Sequence, residues 1–188
     1  MDNFLRALLD QHELWRITQG KNGNQLIVKD QVFSSLDLSN KDLASSAFLG
    51  VMFDSADLRN TNFAYSNLGY SSFKRANLSG ASLIKSEADH ADFEGAVFNQ
   101  TNAFRSTFIG ASFRSSELIG VNFSKCIMDD SDFSNANISG CRFFEADLSN
   151  IKGIDSVTLD WIDVGSDNDV KKLYGANGMK WLQEASMK

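Results

Sequence analysis

Proline does not occur in this chain of 188 residues, and cysteine and histidine occur only twice each. Without proline, no turn is set by a fixed φ or an X–Pro cis bond. Two cysteines, Cys126 and Cys141, are too few for a disulfide framework, so a reducing compartment is expected. No stretch approaches the ~18 consecutive apolar residues of a membrane span. Arg6 and Asp10 interrupt the opening MDNFLRALLD, which breaks the apolar core a signal peptide would need. A basic excess is missing too: 18 Lys and Arg stand against 24 Asp and Glu, and the net charge of −6 argues against direct nucleic-acid binding. These absences predict a soluble, cytoplasmic protein of one domain, off the membrane. What is plentiful is phenylalanine, at 15 residues.

Those phenylalanines follow a period. Stepping by five from Phe33 to Leu148 meets 24 positions, all of them apolar and 12 of them Phe, without a slip. The residue two before each of these centres is Ala, Ser, Cys or Thr in 19 of 24 cases, and the remaining positions are mainly polar. Neither a helix (about 3.6) nor a strand (about 2.0) repeats every five residues. A chain that turns a corner every five residues does, and four sides close a square coil of twenty. Two residues after the centre, Gly or Asn occurs in 10 of 24 repeats, suiting a positive φ at the third position of a type II turn. Coils spaced roughly 4.8 Å apart, as strands are, make six coils a rod about 29 Å long.

The segments ADLRN (56–60), ANLSG (76–80), ADFEG (91–95) and ADLSN (146–150) resemble the pentapeptide-repeat family and its A(D/N)Lxx motif. The resemblance covers 31–150 and implies an all-β solenoid, a right-handed quadrilateral β-helix of about six coils. The expected division is 1–30 as an N-terminal helical cap and entry, 31–150 as the β-helix, and 151–188 as a C-terminal cap with short helices. HELWRITQGKNG (12–23) has the look of a lead-in to such repeats.

Residues twenty apart stack, so one side becomes a column of Phe33, Phe53, Phe73, Phe93, Phe113 and Phe133, with roughly 1.5–3 kcal/mol available per buried ring. Ala88 and Ala103 are the two undersized centres. An open end invites edge pairing, so caps are expected. Residues 3–17 place Phe4, Leu5, Leu8, Leu9, His12 and Trp15 on one helical face, and Val28 centres an imperfect first side. At the far end, Gly153 takes the place of the next centre and ends the repeats. VTLDWIDV (157–164) alternates like a strand, Ser166 or Asp167 suits a helix N-cap, and GANG (175–178) breaks that helix before it resumes. Trp161, Leu173, Met179, Trp181 and Leu182 either cap the rod or join two copies end to end, as in family members that associate through their C-terminal ends.

Three surface sets remain. Glu87, Asp89, Asp92 and Glu94, with Asp129, Asp130 and Asp132 two coils on, make an acidic corner that surrounds His90 and faces solvent. Convex turns provide no desolvating cleft for acid–base work, and a hard-metal site at the three later aspartates is the lesser reading. Ile84, Phe104 and Phe144 form an apolar ridge beside a basic stripe of Lys85, Arg105 and Lys125, with Tyr65 at one end. Cys126 and Cys141 occupy the small inward position. No nucleophile–base arrangement, phosphate loop or zinc spacing is present, so no enzyme, cofactor or metal is expected.

Two functions follow. The first is a non-catalytic protein-binding rod or scaffold of unknown partner. The second comes from the resemblance: several family members are DNA mimics that bind DNA gyrase and protect it from quinolones or peptide toxins. Residues 31–150 hold 14 acids and 9 bases. Their net charge of −5 over ~29 Å is far sparser than the one charge per ~1.7 Å of duplex DNA, which favours the first.

Overall fold

A computed structural model describes residues 3–166 and 168–187 of the chain. Every five-residue centre from Phe33 to Leu148 is buried, and the chain forms a repeat β-solenoid in which residues twenty apart pair in parallel. Val32 pairs with Met52, Met52 with Ser72, Ser72 with Asp92, and the series runs on to Asp132 and Lys152.

The corners are made by one backbone conformation. The residue two after each centre has a positive φ throughout, from Ser35 (59°) to Asn150 (54°), whether it is glycine or not. Tyr65 (61°) and Tyr70 (60°) adopt it too. That conformation is unfavourable for a residue with a Cβ, and the ladder offsets it. The Tyr65 N–H bonds the Ile84 carbonyl of the next coil (2.9 Å), while the Ser66 N–H closes the turn on Phe63 (3.1 Å).

Side chains serve the backbone groups the ladder leaves over. Ser, Thr and Cys at the small inward position donate to the carbonyl of a centre 23 residues earlier: Thr61 to Leu38 (2.9 Å), Ser71 to Phe48 (2.8 Å), Cys126 to Ala103 (2.9 Å) and Cys141 to Leu118 (3.0 Å). The Asp or Asn before a centre accepts the N–H just after that centre, as Asn62 does from Ala64 (3.1 Å), Asp92 from Glu94 (3.0 Å) and Asp132 from Ser134 (2.8 Å). This Asx-type bond is the physical reason for Asp or Asn at the second position of the repeat. Where Ser72 or Thr107 stands there, Asp54 or Asp89 of the preceding coil caps the N–H of Lys74 (3.3 Å) or Ile109 (2.9 Å) instead.

The phenylalanine column stacks ring on ring. Centroids lie 5.0 Å apart from Phe53 to Phe73, 4.9 Å to Phe93, 5.2 Å to Phe113 and 5.1 Å to Phe133, all within 17° of parallel. The first step, Phe33 to Phe53, is tilted to 65°. The rings of Phe98 and Phe108 meet Phe93 edge-on in the region of the fully buried Ala88 and Ala103.

Helix α1, Asn3–Ile17, lies at the N-terminal end. Its buried His12 bridges two parts of the first coil, bonding the Ala44 carbonyl through Nε2 (3.1 Å) and accepting the Leu26 N–H at Nδ1 (3.1 Å). Leu5 is buried, but Phe4 is exposed and does not share the packed face, being a residue away from the Leu5–His12 line. Val28 is a true centre: Ile27–Lys29 pairs with Ala47–Leu49, and Val28 is opposite Phe48.

The C-terminal end departs from expectation three times. Parallel stacking does not stop at Gly153; it continues with a one-residue insertion, Ile138 opposite Leu159 and Cys141 opposite Ile162. The buried Ile154 replaces the missing centre. No helix starts at Ser166, which bridges Asp169; Lys172–Tyr174 instead pairs antiparallel with Trp161–Asp163. Asp167 lies outside the described residues. Finally, GANG does not break a helix but forms the first turn of α2, Gly175–Ser186, because Gly178 packs against Leu159 where a Cβ would come within 2.8 Å. Leu182 of α2 is buried and, with Phe133, Ile138, Phe143, Leu148, Ile151 and Ile154, encloses the end of the core.

Candidate interaction surfaces

Four of the seven carboxylates of the acidic corner are paired with cations of the same chain. Lys74 reaches Asp92 (2.9 Å) and Glu94 (3.2 Å), Arg114 pairs with Asp132 (3.1 Å), and Lys152 with Asp130 (2.5 Å). Asn67 donates to Glu87 (3.0 Å) and Asn150 to Asp129 (2.9 Å). Asp89 holds the Ile109 N–H, so its role is in the turn. Partial burial pulls the Asp132 carboxyl upward, but the Ser134 hydroxyl and N–H, with Arg114 and Lys152 nearby, outweigh it and hold the group below the usual carboxylate range. The sequence reading missed Lys74 and Lys152 because both lie a coil away from their partners. Among the described residues, no group of three or more His, Cys, Asp or Glu is placed to hold a metal ion.

The ridge is likewise internally engaged. Lys85 lies over the Tyr65 ring (5.3 Å), Arg105 over Phe104 (5.2 Å) and Lys125 over Phe144 (5.4 Å), with Lys125 also bonded to Glu145 (3.2 Å). Ile84, Phe104 and Phe144 are only partly exposed. Between the two phenylalanines, Ser124 is buried.

The C-terminal set is brought together on the last coil. Trp181 meets Phe143 (6.4 Å), Leu173 and Met179 pack against the core, and Trp161 lies between Tyr174 (6.3 Å) and the Lys172 ammonium (4.3 Å). Both thiols are buried, and burial pushes Cys126 and Cys141 up to about 12.

One surface escaped the sequence reading. Ile27 (59%), Val32 (67%) and Met52 (42%) are exposed on the two sides that meet at the corner of Asp30 and Gly50. Tyr70 (71%), two coils above Asp30 on the same corner, is exposed as well and stacks on His90, centroids 5.0 Å apart. Beside them Leu49, Asn67, Gly69, Tyr70, Glu87, Asp89 and His90 line a hollow of ≈ 210 Å³. The available signal was the residue before the centre: Ile27, Val32 and Met52 are apolar at a position that is usually Asp, Asn, Ser or Glu.

The Pentapeptide repeats profile matches in eight copies, over residues 61–100, 91–130 and 111–150. No curated protein matches the chain. Among solved structures, trypsin-treated QnrB1, a plasmid-mediated fluoroquinolone resistance protein, is 18% identical over 74% of this chain and 80% of its own, with a TM-score of 0.46. HetL, a pentapeptide repeat protein involved in heterocyst differentiation regulation from the cyanobacterium Nostoc sp. strain PCC 7120, is 16% identical over 85% and 98%, with a TM-score of 0.28. A pentapeptide repeat protein from the Arabidopsis thaliana thylakoid lumen is 19% identical over 72% of each chain, with a TM-score of 0.30.

Proposed function

Because this chain is a pentapeptide-repeat protein, we propose that it works as a non-catalytic rod that binds another protein along its flank. In this reading residues 31–150 form a right-handed quadrilateral β-helix of about six coils, with 1–30 and 151–188 capping its ends. Trp161, Leu173, Met179, Trp181 and Leu182 then serve the cap and not a dimer, since they cover the chain's own last coil.

One observation carries the reading. Outward carboxylates such as Asp89, Asp92 and Asp132 are engaged in the turns, whereas large apolar side chains stand uncovered at Ile27, Val32, Met52 and Tyr70. Uncovered apolar groups that neighbour one another mark contact surfaces. The DNA-mimic reading, with DNA gyrase as partner, needs a continuous negative strip. Lys74, Arg114 and Lys152 interrupt the one corner dense enough in acid to supply it.

The test is affinity capture at moderate salt with three forms of the protein, followed by binding measurements on the purified captured partner. One form carries Asn at 89, 92, 129 and 132, the second Ser at 104 and 144, the third Ser at 52 and 70. Loss of a partner protein in the third form, with retention in the first, supports the reading. Capture of gyrase that only the Asn form loses would replace it with the DNA mimic.

A further inference from the structure

Residues 30, 50, 70, 90 and 110 occupy one corner in successive coils, and the aromatic pair in the middle is flanked by glycines. His90 lies against Gly110, where a Cβ would come within 2.7 Å of its Nδ1. On the other side of Tyr70 the corner residue one coil below is Gly50, which contributes no side chain of its own. Below Gly50 lies Asp30, whose Oδ1 stands 2.6 Å from where a Gly50 Cβ would be.

The stack itself gives the orientation. Tyr70 and His90 are 5.0 Å apart and 27° from parallel, close to the ~4.8 Å spacing of coils. The rings therefore lie across the rod, and the lower face of Tyr70 looks down the corner toward Gly50. A planar group held one coil step below would sit where the side chain of residue 50 is absent. Its other side would meet the Asp30 carboxylate, which has no ion-pair partner among the described residues.

We propose that this gap is an arginine-binding slot for the protein partner, formed by Tyr70, Gly50 and Asp30 and bordered by exposed Ile27, Val32 and Met52. A guanidinium is flat enough to continue the Tyr70–His90 stack, carries the charge that Asp30 lacks a partner for, and offers edge N–H donors to the carboxylate. A lysine ammonium has the charge without the plane. The apolar side chains around the slot take up the aliphatic stem and the neighbouring apolar residues of the same segment. The partner is thus a segment that presents arginine between apolar residues. The inference rests on the protein-binding reading above and specifies its contact.

The slot is tested on the whole protein labelled with fluorotyrosine, which places a reporter at Tyr65, Tyr70 and Tyr174. The Tyr70 signal is assigned from Tyr70→Phe. The probe is acetyl-Leu-Arg-Leu-amide, titrated beside its Gln and Lys counterparts. The expected result is a saturable shift of the Tyr70 signal with the Arg peptide, about tenfold weaker binding with Lys, and none with Gln. Asp30→Asn weakens the Arg peptide about tenfold. Gly50→Arg abolishes the shift by filling the slot from within the chain, at a φ of +65° that Arg105 (62°) shows an arginine can adopt. A Tyr70 signal that does not saturate, equal response to the Gln or Lys peptide, or binding unchanged in both Asp30→Asn and Gly50→Arg overturns the slot. If the partner captured above still binds Gly50→Arg at full strength, the slot falls while the rod reading stands.

Discussion

Asp89 accepts the backbone N–H of Ile109 across 2.9 Å, from one coil to the next. The bond does for position 109 what an Asp or Asn at 107 would do, since Thr107 stands there. An oxygen acceptor is what matters, and negative charge is secondary. Asp89→Asn should therefore leave stability within a few tenths of a kcal/mol, while Asp89→Ala should cost about 1 kcal/mol through the uncapped N–H. Urea unfolding of the two variants checks this, and equal losses in both would mean that charge was the stabilising feature.

The same residue shows what was legible in the sequence. The period of five, the buried centres and the aromatic column are one-dimensional patterns, and each appears in the structure at the residue where the period places it. Asp89 looked like part of a solvated acidic corner because its hydrogen-bond partner lies twenty residues away and is a backbone group, which carries no residue identity. Lys74 and Lys152 were overlooked as partners of Asp92 and Asp130 for a related reason: 18 and 22 residues separate them, so only the coil register unites them. At the C-terminal end a single inserted residue near Gly153 shifts every later position, and Lys172–Tyr174 pairs with a strand that the five-residue rule does not contain. The uncovered patch was visible only as exceptions, apolar residues at a usually polar position.

Phe93 is stacked between Phe73 and Phe113 and met edge-on by Phe98 and Phe108. Phe93→Ala should cost about 3–5 kcal/mol, because a solenoid coil fixed by its ladder above and below has little freedom to collapse into the cavity. Phe33→Ala, at the start of the column and slightly exposed, should cost less. Thermal and urea unfolding of the pair gives the comparison; a larger loss at Phe33 would place the limiting stability at the N-terminal end.

Burial pushes both thiols up to about 12. In the folded protein Cys126 and Cys141 should resist a thiol reagent at pH 8 and react at the rate of unfolding, then react freely in denaturant. Stopped-flow titration of the thiols reads both regimes. Rapid labelling of native protein would show that the coils holding them, 121–140 and 141–160, open locally without global unfolding.

His12 gives the rod a pH dependence whose sign follows from its bonds. Burial lowers its pKa most; the bond to the Ala44 carbonyl works in the opposite direction, and Arg16 adds to the lowering. The net effect is a folded pKa below the ordinary value of 6.5. Nδ1 must stay unprotonated to accept the Leu26 N–H, so the neutral ring is the form that holds α1 to the first coil. Between the folded and unfolded pKa values the unfolded chain binds the extra proton. His12 therefore contributes its stability above about pH 6.5, and that contribution is lost as the pH falls from there toward the folded pKa. Trp15 stacks on His12 at 5.7 Å, so its fluorescence reports the ring directly. Urea unfolding from pH 8 to pH 5 should show declining stability in the native protein, and a flatter profile in His12→Gln. Its amide has a donor and an acceptor of its own but does not titrate. Matching slopes in the two proteins would assign the acid sensitivity to the carboxylates of the turns instead.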